Sequence, residues 1–577
     1  MRSIVALLLL ALAPALHAQD SVIVIDPDAP PGDTLDRGGL PPEVLREVLR
    51  VYNDPATTRL VGDFHLPAGS RLEGRVAIFR GEGRVAGEIL GPVTVINGSL
   101  TVDSGGRVAG DVLVVGGTLR VREGGTQEGG RRLYWDAAPV LRNADGDLVV
   151  RERRRPLGDL AAARTSFRAG RVRTTLLLAT GRTYNRIEGL PVVFGPDIEW
   201  GASRSLQVRL RAHGILRTAG DQSSLTRDFG WNTRLELRHA GRSRLTLGVQ
   251  AYNSVVPIED QPLSRSEVGW SSFLLQRDYR DYYSVEGVGG SVSAVPVGRL
   301  RLEASLRWDR EESVRANDPW SLFRNSDQWR PNPLIDDGHY LTAGLGLEYD
   351  TRNHPDFPTA GWWIRARYEH STSDDVAPIA LPATVRAPLP SDGDYAFDRV
   401  WLDLRRYARL SPGSRLNLRL RAAGWIDGDP LPIQARHSLG GSDPLPGYDF
   451  RAFTCAPSGF RDPSNPALCD RVVSLQAEFR TRLSLKLGYH YRDRERPELD
   501  RFIGIEEADL VFLGDAGKAW LTGEGPGRVP DDRIPSLKEW KADVGIGIDA
   551  GGIGAYLAKA VTDGEPVRFV LRLDRRF

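Results

Sequence analysis

The chain has 577 residues, of which 76 are Lys or Arg and 75 are Asp or Glu, a formal net charge of +1. Its mean hydropathy is −0.31. Balanced charge argues against a nucleic-acid partner, which needs a basic face, and beyond residue 18 no run approaches the roughly 18 apolar residues of a membrane-crossing helix.

Arg2 precedes an apolar run from Ile4 to Leu12 and a small-residue exit at Ala15-Leu16-His17-Ala18, which predicts a signal peptide over 1–18 and export from the cytoplasm. Residues 19–60 read as a Pro- and Gly-rich tether holding one short helix, from Glu43 to Tyr52. Over 61–133 short β-branched stretches alternate with glycines, and fragments recur. Arg84-Val-Ala-Gly-Glu-Ile89 returns as Arg107-Val-Ala-Gly-Asp-Val112, and Val95-Ile-Asn-Gly-Ser-Leu-Thr-Val102 is echoed by Val114-Val-Gly-Gly-Thr-Leu-Arg-Val121. Strands this short cannot bury a face alone, so they are expected to stack as coils of a β-solenoid. The repeat texture resembles the polymer-forming bactofilin-type β-helix; a Gly-rich β-sandwich is the other reading. Residues 134–180, with the basic run Arg151 to Arg155, read as an Arg-rich linker.

Beyond Gly181 the pattern changes to longer segments with two-residue alternation. Leu206, Val208 and Leu210 alternate with Gln207, Arg209 and Arg211, and Val473, Leu475, Ala477 and Phe479 with Ser474, Gln476, Glu478 and Arg480. One face is apolar and the other polar or charged. A soluble sandwich could use the same alternation. Three features favour a transmembrane barrel over 181–577: strands of about ten residues, short turns alternating with long polar loops, and Trp362, Trp363, Trp401, Trp425, Trp520 and Trp540 near predicted strand ends, as in interfacial girdles. The fold class is therefore all-β. Cys455 and Cys469 lie close together in a Pro-, Ser- and Asp-rich segment of an exported chain, which points to a loop-closing disulfide rather than a metal site.

Four motifs then carry a resemblance. Leu347 to Trp363 holds Asp350, Arg352, Pro355, Pro358 and Gly361 in a strand–turn–strand arrangement. It looks like the signature of the BamA/TamA superfamily, also called the bacterial surface-antigen family. Leu439 to Phe450 contains Gly440, Gly441, Leu445, Gly447 and Tyr448 and resembles that family's loop folded back into the barrel lumen; Leu513-Gly-Asp-Ala-Gly517 resembles the wall motif facing it, through Asp515 and Gly517. Tyr184 to Gly189 looks like a barrel start. On the last segment Phe569, Leu571, Leu573 and Phe577 share a face, like an outer-membrane assembly signal, and Arg575 interrupts it. The resemblance implies a 16-stranded barrel in the outer membrane of a Gram-negative cell, with the N-terminal domain in the periplasm. It also implies a contact between Asp515 and an Arg at the loop tip. That Arg is replaced by Pro446, so either another cation such as Arg451 takes its place or packing of Tyr448 and Phe450 holds the loop.

The family's POTRA modules, which receive clients, have no counterpart before Gly181. The leading expectation is a protein that aids insertion, assembly or export of outer-membrane or secreted proteins, or of lipids, by offering a strand edge. The alternative is a structural anchor or passive channel that displays a self-associating β-helix. A lumen lined by Arg209, Arg211, Arg419 and Arg421 could favour anions if open. No nucleophile elbow, zinc-binding helix or His and Cys cluster is present, so no catalytic activity, metal or cofactor is expected; the partners expected are outer-membrane lipid, client proteins and other copies of the β-helix.

Overall fold

The computed structural model describes residue 40 and residues 42–577, apart from 118, 135–137, 139, 143–145, 151–161, 181–182, 202–205, 220–228, 240–244, 260–262, 298, 325–327, 353–357, 391–393, 412, 456–467, 492–500, 526 and 551. The expected signal peptide, most of the tether, the Arg151 to Arg155 run and Pro355 fall outside the described residues.

The N-terminal unit is a parallel β-solenoid. Strands beginning at Thr58, Val76, Val93, Val112 and Arg131 stack in register as one sheet, and two further sheets of four strands complete the coils. Glycine makes the stacking possible. A Cβ on Gly98 would lie 2.3 Å from the Gly81 carbonyl oxygen, and one on Gly117 would lie 1.5 Å from that of Gly98. Only a column of glycines lets the corners of successive coils approach this closely.

The four-residue strands Val76–Phe79, Val93–Ile96 and Val112–Val115 are buried on both faces, which explains their unbroken apolar sequence. One face, with Val76, Ile78, Val95 and Val114, fills the solenoid core. The other, with Ala77, Phe79, Ile96, Leu113 and Val115, is covered by Val44, Val48 and Tyr52 of the helix Pro42–Asn53. Those three residues are four apart and share one helix face. The helix is therefore part of this unit and not a tether. The hairpin of Val140–Arg142 and Leu148–Val150 also belongs to it, held by paired hydrogen bonds between Asn53 and Leu148 and between Asn97 and Ala138.

The barrel sheet starts earlier than Gly181. Val172–Thr180 is its first wall strand, and Ala162–Ala169 pairs with it along its whole length. Residues 134–180, read from sequence as a linker, thus divide between the two units at the undescribed segment 151–161. Among the described residues the sheet has eighteen members in chain order. Sixteen are antiparallel wall strands running from Val172 to Arg572; the others are Ala162–Ala169 and the two-residue parallel strand Arg528–Val529. No backbone ladder joins Arg568–Arg572, at one edge, to Ala162–Ala169 or Val172–Thr180 at the other. This leaves a seam.

Burial decides between sandwich and membrane barrel. The apolar set is outside: Leu237, Leu247, Leu345, Leu418, Leu475 and Phe512 are all exposed. The polar set is inside: Glu236, Asp403, Arg419, Gln476, Glu478 and Arg480 are at most 3% exposed. Water as the outer solvent would make this arrangement inside-out; hydrocarbon makes it right. Of the tryptophans expected to form a girdle, Trp362 is exposed, whereas Trp520 is buried and Trp401 and Trp425 pack against inward-folded loops. Trp200, Trp308 and Trp320 are exposed instead.

Candidate functional site: an in-folded loop and the seam

The loop between Gly428 and Arg471 doubles back through isolated bridges of His437 with Cys469, Leu439 with Phe453 and Gly441 with Leu445. Gly440 and Gly441 adopt φ of +108° and +112°, which lets the backbone reverse where a side chain would be strained. Cys455 and Cys469 are disulfide-bonded across the loop, their Cα atoms 5.1 Å apart. Leu439, Leu445, Tyr448 and Cys469 pack on wall residues Ala423, Val472, Ala519 and Ala560, with Phe453 and Trp401 alongside.

The loop tip is jammed against the wall. The amide N–H of Gly447 donates to Asp543 Oδ2 at 2.6 Å, and a Cβ there would lie 2.7 Å from both Ala560 N and Asp543 Cβ. The Tyr448 hydroxyl lies 2.6 Å from Thr562 Oγ1 and 3.0 Å from Asp563 Oδ2, and its ring stands edge-on to Phe453. Burial pushes this hydroxyl up to about 12. Gly517 serves the same close approach from the wall: a Cβ would sit 3.0 Å from Leu439 Cδ2 and 2.9 Å from the Val473 oxygen.

The Gly447 amide at the tip bonds to Asp543, and Asp515 reaches the loop only through a cation that the expectation did not name. Asp515 lies opposite Asp543 in the wall, and its partner is Arg576, whose guanidinium donates to Asp515 Oδ2 at 2.5 Å and to the Pro444 carbonyl at 3.3 Å. Arg576 therefore supplies, from the segment after the strand Arg568–Arg572, the cation that Pro446 cannot. Arg451 does not substitute either. It reaches Asp281 and, at 3.2 Å, Glu259.

The segment read as an assembly signal splits at this point. Phe569 and Leu571 are exposed on the outer face, Leu573 is half-buried and Phe577 is buried. The strand stops at Arg572, so the shared face predicted by alternation does not extend to Phe577.

In the short turn motif, Asp350 and Arg352 form a two-pronged pair, with Arg352 Nε and Nη2 at 3.0 and 2.7 Å from the carboxylate oxygens. The guanidinium lies over the Trp363 ring, 4.9 Å from its centroid. Gly361 has φ +112°, and a Cβ would be 2.3 Å from the Thr351 oxygen. Pro358 is buried beside it.

Tyr184 to Gly189 is not the start of the barrel but the connection after its first wall strand. Asn185 bridges Gly189, and Arg186, fully buried, donates to Asp281 Oδ1 at 2.7 Å and Asn332 Oδ1 at 2.9 Å. Burial opposes ionisation of Asp281, but Arg451, Arg330 and Arg186 more than offset it and hold the carboxyl far below its ordinary range. Three of the four lumen arginines named above are likewise engaged. Arg209 pairs with Asp197, Arg211 with Glu236 at 3.0 Å and Arg419 with Asp403 at 2.6 Å.

Sequence reasoning missed the helix Arg265–Leu275 inside the Pro257 to Tyr282 connection. A signal was present: Ser264-Arg-Ser-Glu267 is a capping box, and both of its reciprocal hydrogen bonds form. The same Glu267 carboxylate accepts from Arg572 Nε at 2.6 Å, Arg572 Nη2 at 3.1 Å and the Leu573 amide at 2.9 Å.

Residues 228–495 match the Omp85 superfamily domain. No curated protein matches the chain. Among solved structures, BamA from Haemophilus ducreyi lacking POTRA domains 1–3 aligns at 12% identity over 71% of this chain and 74% of its own, with a TM-score of 0.41. CdiB from Escherichia coli aligns at 10% identity over 71% and 63%, TM-score 0.30, and CdiB from Acinetobacter baumannii at 12% over 71% and 64%, TM-score 0.31. With its charged face turned inward and its loop folded into the lumen, the C-terminal part of this chain is built as a membrane β-barrel, and residues 228–495 of it match the Omp85 superfamily domain.

Proposed function

We propose that this protein aids the insertion, assembly or export of other proteins at the outer membrane, with the β-solenoid as a periplasmic adaptor in the place of POTRA modules. The observation that carries this reading is the edge of Val172–Thr180. It takes up an added antiparallel strand, Ala162–Ala169, in continuous register from Ala169 opposite Val172 to Ala162 opposite Ala179. An edge that accepts one strand of this chain is chemically suited to a strand of a client, because the ladder reads backbone groups and not sequence. The solenoid's bactofilin-like texture suits it to binding further copies of itself. Against a passive pore stand the loop packed across the lumen and the paired arginines.

Depletion in the native host followed by quantitative outer-membrane proteomics tests the reading. Loss of other barrels or surface proteins is expected, and a Gly447→Asp variant, which forces a carboxylate against Asp543, should reproduce it. An unchanged proteome on depletion would sink the proposal. Protease added to intact cells tests placement of the solenoid, which should stay uncut until the outer membrane is breached.

A further inference from the structure

We infer that the helix Arg265–Leu275 and the segment after it form an internal latch that holds the two edges of the barrel seam together. The proposal goes beyond the function offered above and rests on it only in taking the seam as the working edge.

The two edges share no backbone ladder among the described residues, so something else must span them. One connection touches both. At its start Glu267 grips the strand Arg568–Arg572 through three hydrogen bonds, two from the Arg572 guanidinium and one from the Leu573 amide. At its far end it grips the connection that follows Val172–Thr180. Phe273 meets Tyr184 edge-on at 5.4 Å, Asp278 accepts from the Arg186 amide at 3.1 Å, and Asp281 pairs with the Arg186 guanidinium. Glu267 and Phe273 lie on one rigid element, the eleven-residue helix capped at Ser264 and closed by Gln276 in the left-handed conformation, and Asp278 and Asp281 follow directly after it.

The grips are dry. Glu267, Arg572, Arg186, Asp278 and Asp281 are each at most 7% exposed. A charge left alone in such a place is costly, so opening either grip would strand Arg572 or Arg186 and the closed seam is favoured. Glu267 is held ready for its partner because its other oxygen accepts from the Ser264 amide at 3.0 Å, fixing the carboxylate at the helix start. The Arg572 guanidinium also donates to the Ser442 carbonyl at 3.2 Å, so the in-folded loop shares the same closure.

The test is a distance across the seam in the full-length protein. Leu178 and Leu571 are exposed on the outer face of the first and last wall strands, and both natural cysteines are disulfide-bonded, so Leu178→Cys with Leu571→Cys takes spin labels selectively. Pulsed-dipolar spectroscopy in nanodiscs should give one narrow distance. Adding Glu267→Arg should broaden it toward longer values, and the swap Glu267→Arg with Arg572→Glu should restore the narrow peak. Should Glu267→Arg fail to fold, as judged by loss of the fast-migrating band in an unheated gel, Glu267→Gln removes the charge at nearly constant volume and should still broaden the peak. Folded variants that keep the wild-type distance overturn the latch, as does a swap that fails to restore it. The spectroscopic result stands apart from the proteomic one, so failure of either proposal is visible separately.

Discussion

The β-solenoid and the barrel are both built from strands with two faces, yet they place charge and hydrocarbon on opposite sides. In the solenoid Val76, Val95 and Val114 meet in a dry core, and ion pairs such as Arg107 with Glu128 sit at the surface. In the barrel Leu345 and Leu475 face outward and Arg480 is enclosed by Glu478 and Asp549, at 2.8 and 3.0 Å. Alternation in the barrel therefore specifies a two-faced strand, and only the solvent beyond the strand decides which face is the core.

The comparison can be broken most forcefully through its ion pairs. Arg480→Leu should cost the barrel about 3–5 kcal/mol, because it strands buried carboxylates. The same change at Arg107 should cost far less, since both partners there are solvated. Urea unfolding of the full chain in detergent reads the first, and hydrogen exchange of solenoid peptides the second; equal costs would refute the contrast. Next come the apolar faces. Ile78→Ala in the solenoid core should cost about 2–5 kcal/mol, whereas Leu345→Ala on the outer face should cost less, because lipid can close around the smaller side chain; the same two measurements compare them. Removing the disulfide with Cys469→Ser should cost on the order of 2–3 kcal/mol by freeing a 14-residue span, and protease should then cut within 456–468.

The smallest effect concerns acid. The hydrogen bond from Arg132 holds the Glu47 carboxyl below its ordinary value. A carboxyl lowered by folding adds stability above its unfolded pKa and loses it as pH falls through the folded one. The helix Pro42–Asn53 should accordingly exchange slightly faster below the carboxylate range, and Glu47→Gln should remove that dependence.

Much of this was legible in the sequence. The glycine spacing and the echo of Arg84 to Ile89 in Arg107 to Val112 revealed the coils because each coil repeats the constraint of the one before. The paired faces revealed the wall strands, and the resemblance carried by the Gly440 to Tyr448 stretch implied the in-folded loop. What escaped notice depended on partners distant along the chain. Nothing near Pro446 says that Arg576 lies beneath the loop, or that Arg451 turns toward Asp281. The helix at Glu267 was hidden differently: it has a capping box, but its short length inside a loop gave no sustained periodicity. Ala162–Ala169 was missed because its small and polar residues make a weak strand pattern, and pairing with Val172–Thr180 supplies the rest.

The glycine columns have a consequence for reach. Along the stack each coil of the solenoid meets the coils above and below it, and its glycine corners ask nothing of their neighbours but the absence of a side chain. A whole coil could be gained or lost by duplication or deletion without creating a new kind of contact, as in other quasi-one-dimensional repeats. The domain is thus a ruler whose length changes in steps of about 4.8 Å, the spacing of hydrogen-bonded strands.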